Sequence, residues 1–214
     1  MKLPRPVLVC FAVKEEAQPF RRLAGAPPDI TVLVTGMGRI NSGRTLRAAL
    51  SSVKPKFVLS CGFAGGLNPD LNIGAIVFAT EDEGELSKAL LAAGAHPVRF
   101  HCAPSVVATA AEKQALRQST GADAVEMESE AIRAVCRERE IPSATVRVIS
   151  DVAGEDLPLD FKRLMTPEQE IDYGKLAWAV VSSPRSIRGL LKLQRQTKAA
   201  AERLAAALLR IIGG

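Results

Sequence analysis

The stretch from Ala122 to Val152 constrains the fold of this chain more than any other part of the sequence. A short apolar run, Ala122–Val125, leads into an acid-rich corner, an amphipathic helix and a β-branched run, Thr145–Ile149, that ends in Ser150-Asp151. Strand–helix–strand units of this kind make parallel sheets. Open α/β sheets bind their ligands beyond the carboxyl ends of the strands. Because both strands run into carboxylates, we expect two acids from neighbouring strands at one edge of the sheet.

Alternating apolar runs and amphipathic stretches along the rest of the chain predict an α/β protein. The predicted strands are Pro6–Ala12, Ile30–Val34, Phe57–Cys61, Gly74–Ala79 and an edge strand at Val98–Cys102. The predicted helices are one ending near Leu23 and others following residue 43, over 81–95, over Ala110–Gln118, over Pro167–Val181 and over 184–212.

Composition narrows the class of protein. The chain has 214 residues, of which 47% are apolar and only 4% aromatic, so the core must consist mostly of Ala, Val, Leu and Ile. The apolar runs are too short to span a bilayer, and the N-terminus lacks the apolar region of a signal peptide, so we expect a cytoplasmic protein. Four widely spaced cysteines without a CxxC pair indicate buried, reduced thiols rather than a metal site or disulfide framework.

Three further segments are candidates for binding, although each also has a structural explanation. Glu15 and Glu16 open the first helix, where carboxylates suit the helix dipole. The small-residue turn at 35–43 can hold an anion with backbone N–H groups, and Arg39, Arg44 and Arg47 add positive charge. The segment Gly62–Leu67 lets the backbone approach a ligand, but a tight turn with close packing explains it equally well.

The C-terminal helix carries much of the net charge of +5. We favour its interpretation as the solvated face of a packed helix. The alternative is attraction to an anionic membrane or polymer. Nucleic-acid binding is disfavoured, because the tail has no aromatic residues among its basic ones.

Five short motifs occur in the order found in one family. They are Ala12–Glu16, Thr35–Asn41, Gly62–Leu67, Val125–Glu128 and Val148–Asp151. With these motifs the chain resembles the nucleoside phosphorylases and methylthioadenosine nucleosidases over nearly its whole length. It is most like the hopanoid-associated phosphorylases. The resemblance implies one domain over residues 1–214, a three-layer α/β/α fold with a central mixed sheet, and a homodimer or larger assembly.

The resemblance also implies roles for individual residues. Asp151 matches the acid that binds the purine and helps to protonate N7, with Ser150 beside it. Glu128 matches the carboxylate that takes the ribose hydroxyls, and Met127 packs against the sugar. Glu16 matches the acid that positions or deprotonates the nucleophile. The remaining expected contacts are Val107 and Phe63 on the substrate, and Gly38, Arg39, Gly62, Ala64 and Gly65 on the phosphate or nucleophile side.

Two departures from the family pattern suggest an open site that admits a bulky 5′ substituent. The Ser105–Ala108 segment lacks a base-stacking aromatic, and Phe63 stands where hydrolytic members often have a small residue or serine.

The identity of the nucleophile is the main open question. The arginines and the subfamily likeness favour phosphorolysis of an adenine nucleoside, with inorganic phosphate as co-substrate and no cofactor or metal. The alternatives are a hydrolytic nucleosidase of the methylthioadenosine or futalosine type, favoured by Glu16, and a non-catalytic nucleoside-binding module. An NAD-binding domain is disfavoured, because the first strand is followed by Lys14-Glu15-Glu16 and not by a GxGxxG turn.

Overall fold

Eight strands form one sheet in the computed structural model, which describes residues 3–81, 84–159, 166 and 184–213. The strands are β1 Val7–Phe11, β2 Ile30–Val34, β3 Phe57–Gly66, β4 Ile76–Thr80, β5 His96–Pro97, β6 Phe100–Cys102, β7 Ala124–Glu126 and β8 Ser143–Asp151. The helices of the described part are α1 Lys14–Ala24, α2 Gly38–Ala49, α3 Glu85–Ala92, α4 Ala110–Thr120, α5 Ser129–Glu138 and α6 Pro184–Gly213.

The sheet is mixed, as predicted. Its main order is β2-β1-β3-β8-β4-β5, in which β2, β1, β3 and β8 run parallel and β4 runs antiparallel to β8. The short strand β7 pairs with the C-terminal end of β3, and β6 adds to β7. The carboxyl ends of β1, β3 and β8 therefore open at the same edge, where α/β sheets bind ligands.

The expected neighbouring parallel strands around α5 are not found, and that prediction was wrong. β3 lies between β7 and β8: it pairs parallel with β8 and antiparallel with β7. The predicted convergence of their acids at one edge still holds, because both strands end beside the same segment of β3. Gly65 is paired with Val125 on one side and with Asp151 on the other.

The extent of β3 also differs from the prediction, which ended this strand at Cys61. The strand continues through the glycine-rich segment to Gly66. Glycine weakens a strand in isolation, but here β8 and β7 supply pairing partners on both sides of the segment. Tertiary pairing has overridden local propensity.

Helices cover both faces of the sheet, as predicted. Alternate residues of β1 point to opposite sides: Val7, Val9 and Phe11 pack in a core with α1, α3 and α6, whereas Leu8 and Cys10 pack with α2 and α5. Cys10, Cys61 and Cys136 are buried, Cys102 is half-buried, and all four are free thiols.

Three of the predicted helices have further outcomes. The helix expected over 81–95 is shorter, Glu85–Ala92, and the helix expected over Pro167–Val181 lies outside the described residues. The C-terminal helix packs through an apolar face that includes Leu204, Leu208 and Ile211, while Lys192, Arg195 and Lys198 are exposed. This agrees with the favoured interpretation of a solvated basic face.

None of the described helices combines the length and apolar character that a membrane crossing requires.

Packing of α6 against the sheet should contribute strongly to stability. Leu208 is fully buried in the core, whereas Leu191 on the same helix is 49% exposed. We expect Leu208→Ala to lower the free energy of unfolding by about 2–5 kcal/mol, because it removes buried methyl groups and leaves a cavity. Leu191→Ala is the matched control and should change it by less than about 0.5 kcal/mol. Urea unfolding measures both, and equal losses would show that α6 is not packed as described.

Candidate functional site

A cavity of about 350 Å³ opens at the carboxyl ends of β1, β3 and β8. Its wall brings together the predicted carboxylates Glu16, Glu128 and Asp151. The expectation that Glu128 and Asp151 share one cleft is confirmed. Other predicted residues on the wall are Phe63, Ala64, Gly65, Val107, Met127 and Ser150. Apolar residues complete it, among them Val13, Met37, Val106, Leu157 and Leu193.

Glu16 is held rigidly at the β1 end of the cavity. Its Oε2 accepts hydrogen bonds from the backbone N–H groups of Ala12 (3.0 Å) and Val13 (3.2 Å), and its Oε1 accepts one from Phe63 (2.8 Å). Burial raises the pKa of Glu16, while these hydrogen bonds and the charge of Arg147 act to lower it. A fixed carboxylate with a raised pKa can accept a proton from a water molecule.

Gly62 lies behind Glu16 instead of on the cavity wall. Its φ is +151°, and a Cβ at this position would stand 2.7 Å from Glu16 Oε1. Only glycine leaves room for the carboxylate here. The predicted contribution of Gly62 to the nucleophile side is therefore indirect, through the placement of Glu16.

A buried cluster of charge links the corner after β7 to the middle of β8. Arg147 is 1% exposed, and its Nη2 lies 2.7 Å from Glu126 Oε2, 3.2 Å from Ser60 Oγ and 3.5 Å from Glu128 Oε2. Burial acts to lower the pKa of Arg147, but Glu126, Glu128 and Glu16 raise it above the ordinary value, so the guanidinium stays charged. Arg147 thus neutralises carboxylates that would otherwise repel one another.

Glu126 has a structural role at the start of α5. Its Oε2 accepts hydrogen bonds from the N–H groups of Glu128 (3.0 Å) and Ser129 (2.7 Å), and its Oε1 accepts one from Ser129 Oγ (2.7 Å). Although burial alone would raise it, the pKa of Glu126 is lowered by Arg147 and by these bonds. Glu126 therefore remains ionised and caps the helix that follows the site.

Glu128 lies between Arg147 and the first turn of α2. The backbone N–H of Gly38 donates to Glu128 Oε1 at 2.8 Å. Burial, together with the charges of Glu126 and Glu16, raises the pKa of Glu128 to about 7, although Arg147 and the Gly38 hydrogen bond act to lower it. The turn at 35–43 was predicted to bind an external anion through its N–H groups, but in the structure the N–H of Gly38 donates to a carboxylate of the protein.

The three arginines near this turn form ion pairs and hydrogen bonds with other residues of the protein. Arg39 pairs with Glu130 and donates to the Cys102 carbonyl at 3.1 Å. Arg44 donates to Asn41 at 3.1 Å, and Arg47 makes two hydrogen bonds to Glu138, the shorter at 2.7 Å. Gly38 and Arg39 do not line the cavity among the residues that the structure describes. Their role on the phosphate side stays a prediction.

Asp151 is fixed from two sides at the opposite end of the cavity. Ser150 Oγ donates to its Oδ1 at 2.7 Å, and Lys113 Nζ lies 2.6 Å from its Oδ2. Gly65 leaves space for this carboxyl group, because a Cβ there would stand 3.2 Å from Oδ2. Asp151 and Glu16 thus stand on two sides of one cavity, each held by its own set of contacts.

Sequence reasoning missed Arg147, Glu126 and Lys113. Arg147 did leave a signal, since a lone charge in a run as apolar as 144–149 requires a buried partner. Lys113 left none, because it follows Glu112 in a helix that reads as amphipathic and exposed. Leu193 and Thr197 of α6 also line the cavity, which the charge pattern of that helix did not reveal. Within the described ranges, no group of three or more His, Cys, Asp or Glu residues could hold a metal ion.

Comparison with known proteins identifies the family to which the chain belongs. The model of the Phosphorylase superfamily matches residues 20–87 and 84–182. A 5′-methylthioadenosine/S-adenosylhomocysteine nucleosidase of Anoxybacillus flavithermus is 27% identical over 172 residues, which are 64% of this chain and 74% of the relative.

Solved structures agree on the fold. A futalosine hydrolase of Helicobacter pylori superposes with a TM-score of 0.73 at 18% identity, covering 97% of both chains. A 5′-methylthioadenosine/S-adenosylhomocysteine nucleosidase of the same organism, in complex with butyl-thio-DADMe-Immucillin-A, gives 0.72 at 18% identity, again with 97% of both chains covered. The family match extends from α1 through β8 and includes four of the five sequence motifs, and the chain belongs to the phosphorylase superfamily.

Proposed function

We propose that this chain hydrolyses the N-glycosidic bond of a 5′-substituted adenine nucleoside, with water as the nucleophile. The observation that carries the proposal is the cavity itself, in which buried Glu16, buried Glu128 and Asp151 face one space. The similarity to a methylthioadenosine/S-adenosylhomocysteine nucleosidase supports it. The sequence favoured phosphorolysis and kept hydrolysis as the alternative. The geometry supports the alternative better.

Hydrolysis of this bond makes three demands. Positive charge develops at the anomeric carbon, the departing base becomes more basic, and water must lose a proton as it attacks. In our proposal Asp151 gives a proton to N7 of the base, Glu128 accepts hydrogen bonds from the ribose hydroxyls, and Glu16 takes the proton from water. A carboxylate suits a diol, because its two oxygens can accept a hydrogen bond from each of the two hydroxyl groups.

The contacts around Glu16 favour water over phosphate. A phosphate dianion needs several N–H donors and cations. The N–H groups of Ala12, Val13 and Phe63 all donate to Glu16, and that of Gly38 donates to Glu128. Arg147 is already paired with carboxylates. A phosphate placed here would displace these bonds and meet the negative charge of Glu16.

A bulky 5′ substituent remains part of the proposal. A second cavity of about 520 Å³ adjoins the site and shares Phe63 and Thr197 with it. Asp151, the residue assigned to the base, is not among the described residues that line it, so a group carried on the ribose could extend into it. The likeness to hopanoid-associated phosphorylases, peripheral membrane contact through α6 and assembly as a homodimer or larger oligomer stay predictions.

The first test distinguishes water from phosphate. We expect the chain to release adenine from 5′-methylthioadenosine at the same rate with and without inorganic phosphate, and to form the free sugar. The measurement is adenine release, with the sugar product identified by mass spectrometry. A rate that depends on phosphate, with a sugar 1-phosphate as product, would replace hydrolysis by phosphorolysis. An absence of any release would remove the enzymatic proposal.

The second test concerns the general base. We expect Glu16→Gln to lower kcat by about 10²–10⁴-fold, because an amide cannot take the proton from water. Glu15→Gln is the matched control, since Glu15 is the adjacent carboxylate and is exposed; it should keep kcat within about twofold. Steady-state kinetics measures both, and equal effects of the two variants would show that Glu16 is not the base.

The third test uses the pKa of Glu128, which burial raises to about 7. The ionised fraction of Glu128 grows from pH 6 to pH 8, and only the ionised carboxylate can accept hydrogen bonds from both ribose hydroxyls. A carbocyclic adenosine analogue, which cannot be cleaved, should therefore bind about tenfold more tightly at pH 8 than at pH 6.

Its controls are a ligand and a variant. Adenine alone lacks the diol, and Glu128→Gln lacks the ionisation, so both should show a flatter pH dependence in calorimetry. If adenine shows the same tenfold change, the pH dependence does not arise at the ribose.

A further inference from the structure

Lys113 of α4 is a completely buried lysine that contacts the candidate acid. Its side chain is 0% exposed, and its Nζ lies 2.6 Å from Asp151 Oδ2. Nζ also donates to the backbone carbonyls of Val152 at 2.8 Å and Glu155 at 2.9 Å. An ammonium has three N–H bonds. Two are used on the loop after β8, which leaves the third for Asp151, whose Oδ2 lies at ion-pair distance without an aligned hydrogen bond.

This contact raises a chemical question about the acid. Asp151 can protonate the departing base only from its carboxylic acid form, so it must obtain a proton before the bond breaks. Lys113 Nζ lies 2.6 Å from its Oδ2, close enough to exchange a proton with it.

We propose that Lys113 supplies the proton that Asp151 gives to the base, so that the acid of this site is the Lys113–Asp151 pair. Lys113 acts through Asp151 and does not touch the substrate. The inference rests on the proposed hydrolysis and names a further residue that the reaction needs.

The surroundings of Nζ suit both protonation states. After Lys113 gives up one proton, the neutral amine keeps two N–H bonds, which match the carbonyls of Val152 and Glu155. The pair can exchange a proton without moving the loop or breaking either backbone hydrogen bond.

The proton balance is as follows. The proton on Nζ passes to Oδ2 of Asp151, and a half-turn about Cβ–Cγ presents the protonated oxygen to the cavity. The bond between C1′ and N9 breaks with its electron pair moving into the purine, and N7 takes the proton from Asp151. Water adds to C1′ and loses a proton to Glu16. Solvent then reprotonates Lys113 and deprotonates Glu16, so the net reaction consumes one water.

The experiment counts protons on binding. The probe is the carbocyclic adenosine analogue, whose N7 accepts a hydrogen bond and whose base cannot leave. Calorimetry at pH 8 in two buffers of different ionisation enthalpy gives the protons taken up per ligand. In the wild-type protein the pair already contains the proton, so we expect uptake near zero. In Lys113→Met, Asp151 must take its proton from solvent, so we expect uptake of about one.

Lys192→Met is the matched control. Lys192 is an exposed lysine that pairs with Glu155 of the same loop at 3.2 Å, and this variant should behave as the wild type does. Uptake of about one proton by the wild-type protein would overturn the proposal without the use of any variant. Equal uptake by wild type and Lys113→Met would overturn it as well.

A leaving-group comparison separates proton supply from a structural role. We expect Lys113→Met to lower kcat for 5′-methylthioadenosine by about 10²–10⁴-fold. Cleavage of p-nitrophenyl β-D-ribofuranoside, whose leaving group needs no proton, should change by less than about threefold. Equal losses on both substrates would show that Lys113 only supports the fold. A wild-type protein that cleaves neither substrate would count against the proposed hydrolysis, while the proton count would still test the pair.

Discussion

The buried guanidinium of Arg147 is the interaction on which the candidate site depends. Glu126 and Glu128 both contact it, and its charge also acts to lower the pKa of Glu16. Without a cation at this point, acids gathered at one end of a sheet would repel one another and carry the full cost of burial. Removal of a buried partner is therefore expected to be far more damaging than loss of an exposed ion pair such as Arg47–Glu138.

Backbone N–H groups stabilise the same buried carboxylates by hydrogen bonds. The turn after β1 directs the N–H groups of Ala12 and Val13 at Glu16, and β3 directs that of Phe63. The first turn of α2 directs one at Glu128, and the N-cap and first residue of α5, Glu128 and Ser129, direct two at Glu126. These donors are fixed by the strand ends and helix starts, so the fold itself positions each carboxylate. Glycine at position 62 leaves room for Glu16 in the same way as glycine at position 65 leaves room for Asp151.

The fold and part of the site could be predicted from the sequence because they depend on local patterns of apolar and charged residues. β1 is a continuous apolar run and was found where it was expected. The partner of β7 was missed because a strand of three residues has little pattern of its own, and long-range pairing with β3 decides its position. The engagement of Arg39 was missed for a similar reason, since its partner Glu130 is 91 residues away. Spacing along the chain shows which residues can reach a site, but not which of them are already paired.

The proposed hydrolysis places opposite requirements on the two ends of the cavity. One end must receive a proton from water while the other gives a proton to the base, and both must do so at the same pH. Enzymes meet this demand by giving two titratable groups different surroundings. Here Glu16 is surrounded by N–H donors and apolar walls, with no ammonium among its hydrogen-bond donors in the described part of the chain. Asp151 has an ammonium in direct contact. In the proposed reaction the same side-chain chemistry serves as base at one end and as part of an acid at the other, and the contact of Lys113 with Asp151 distinguishes the two ends.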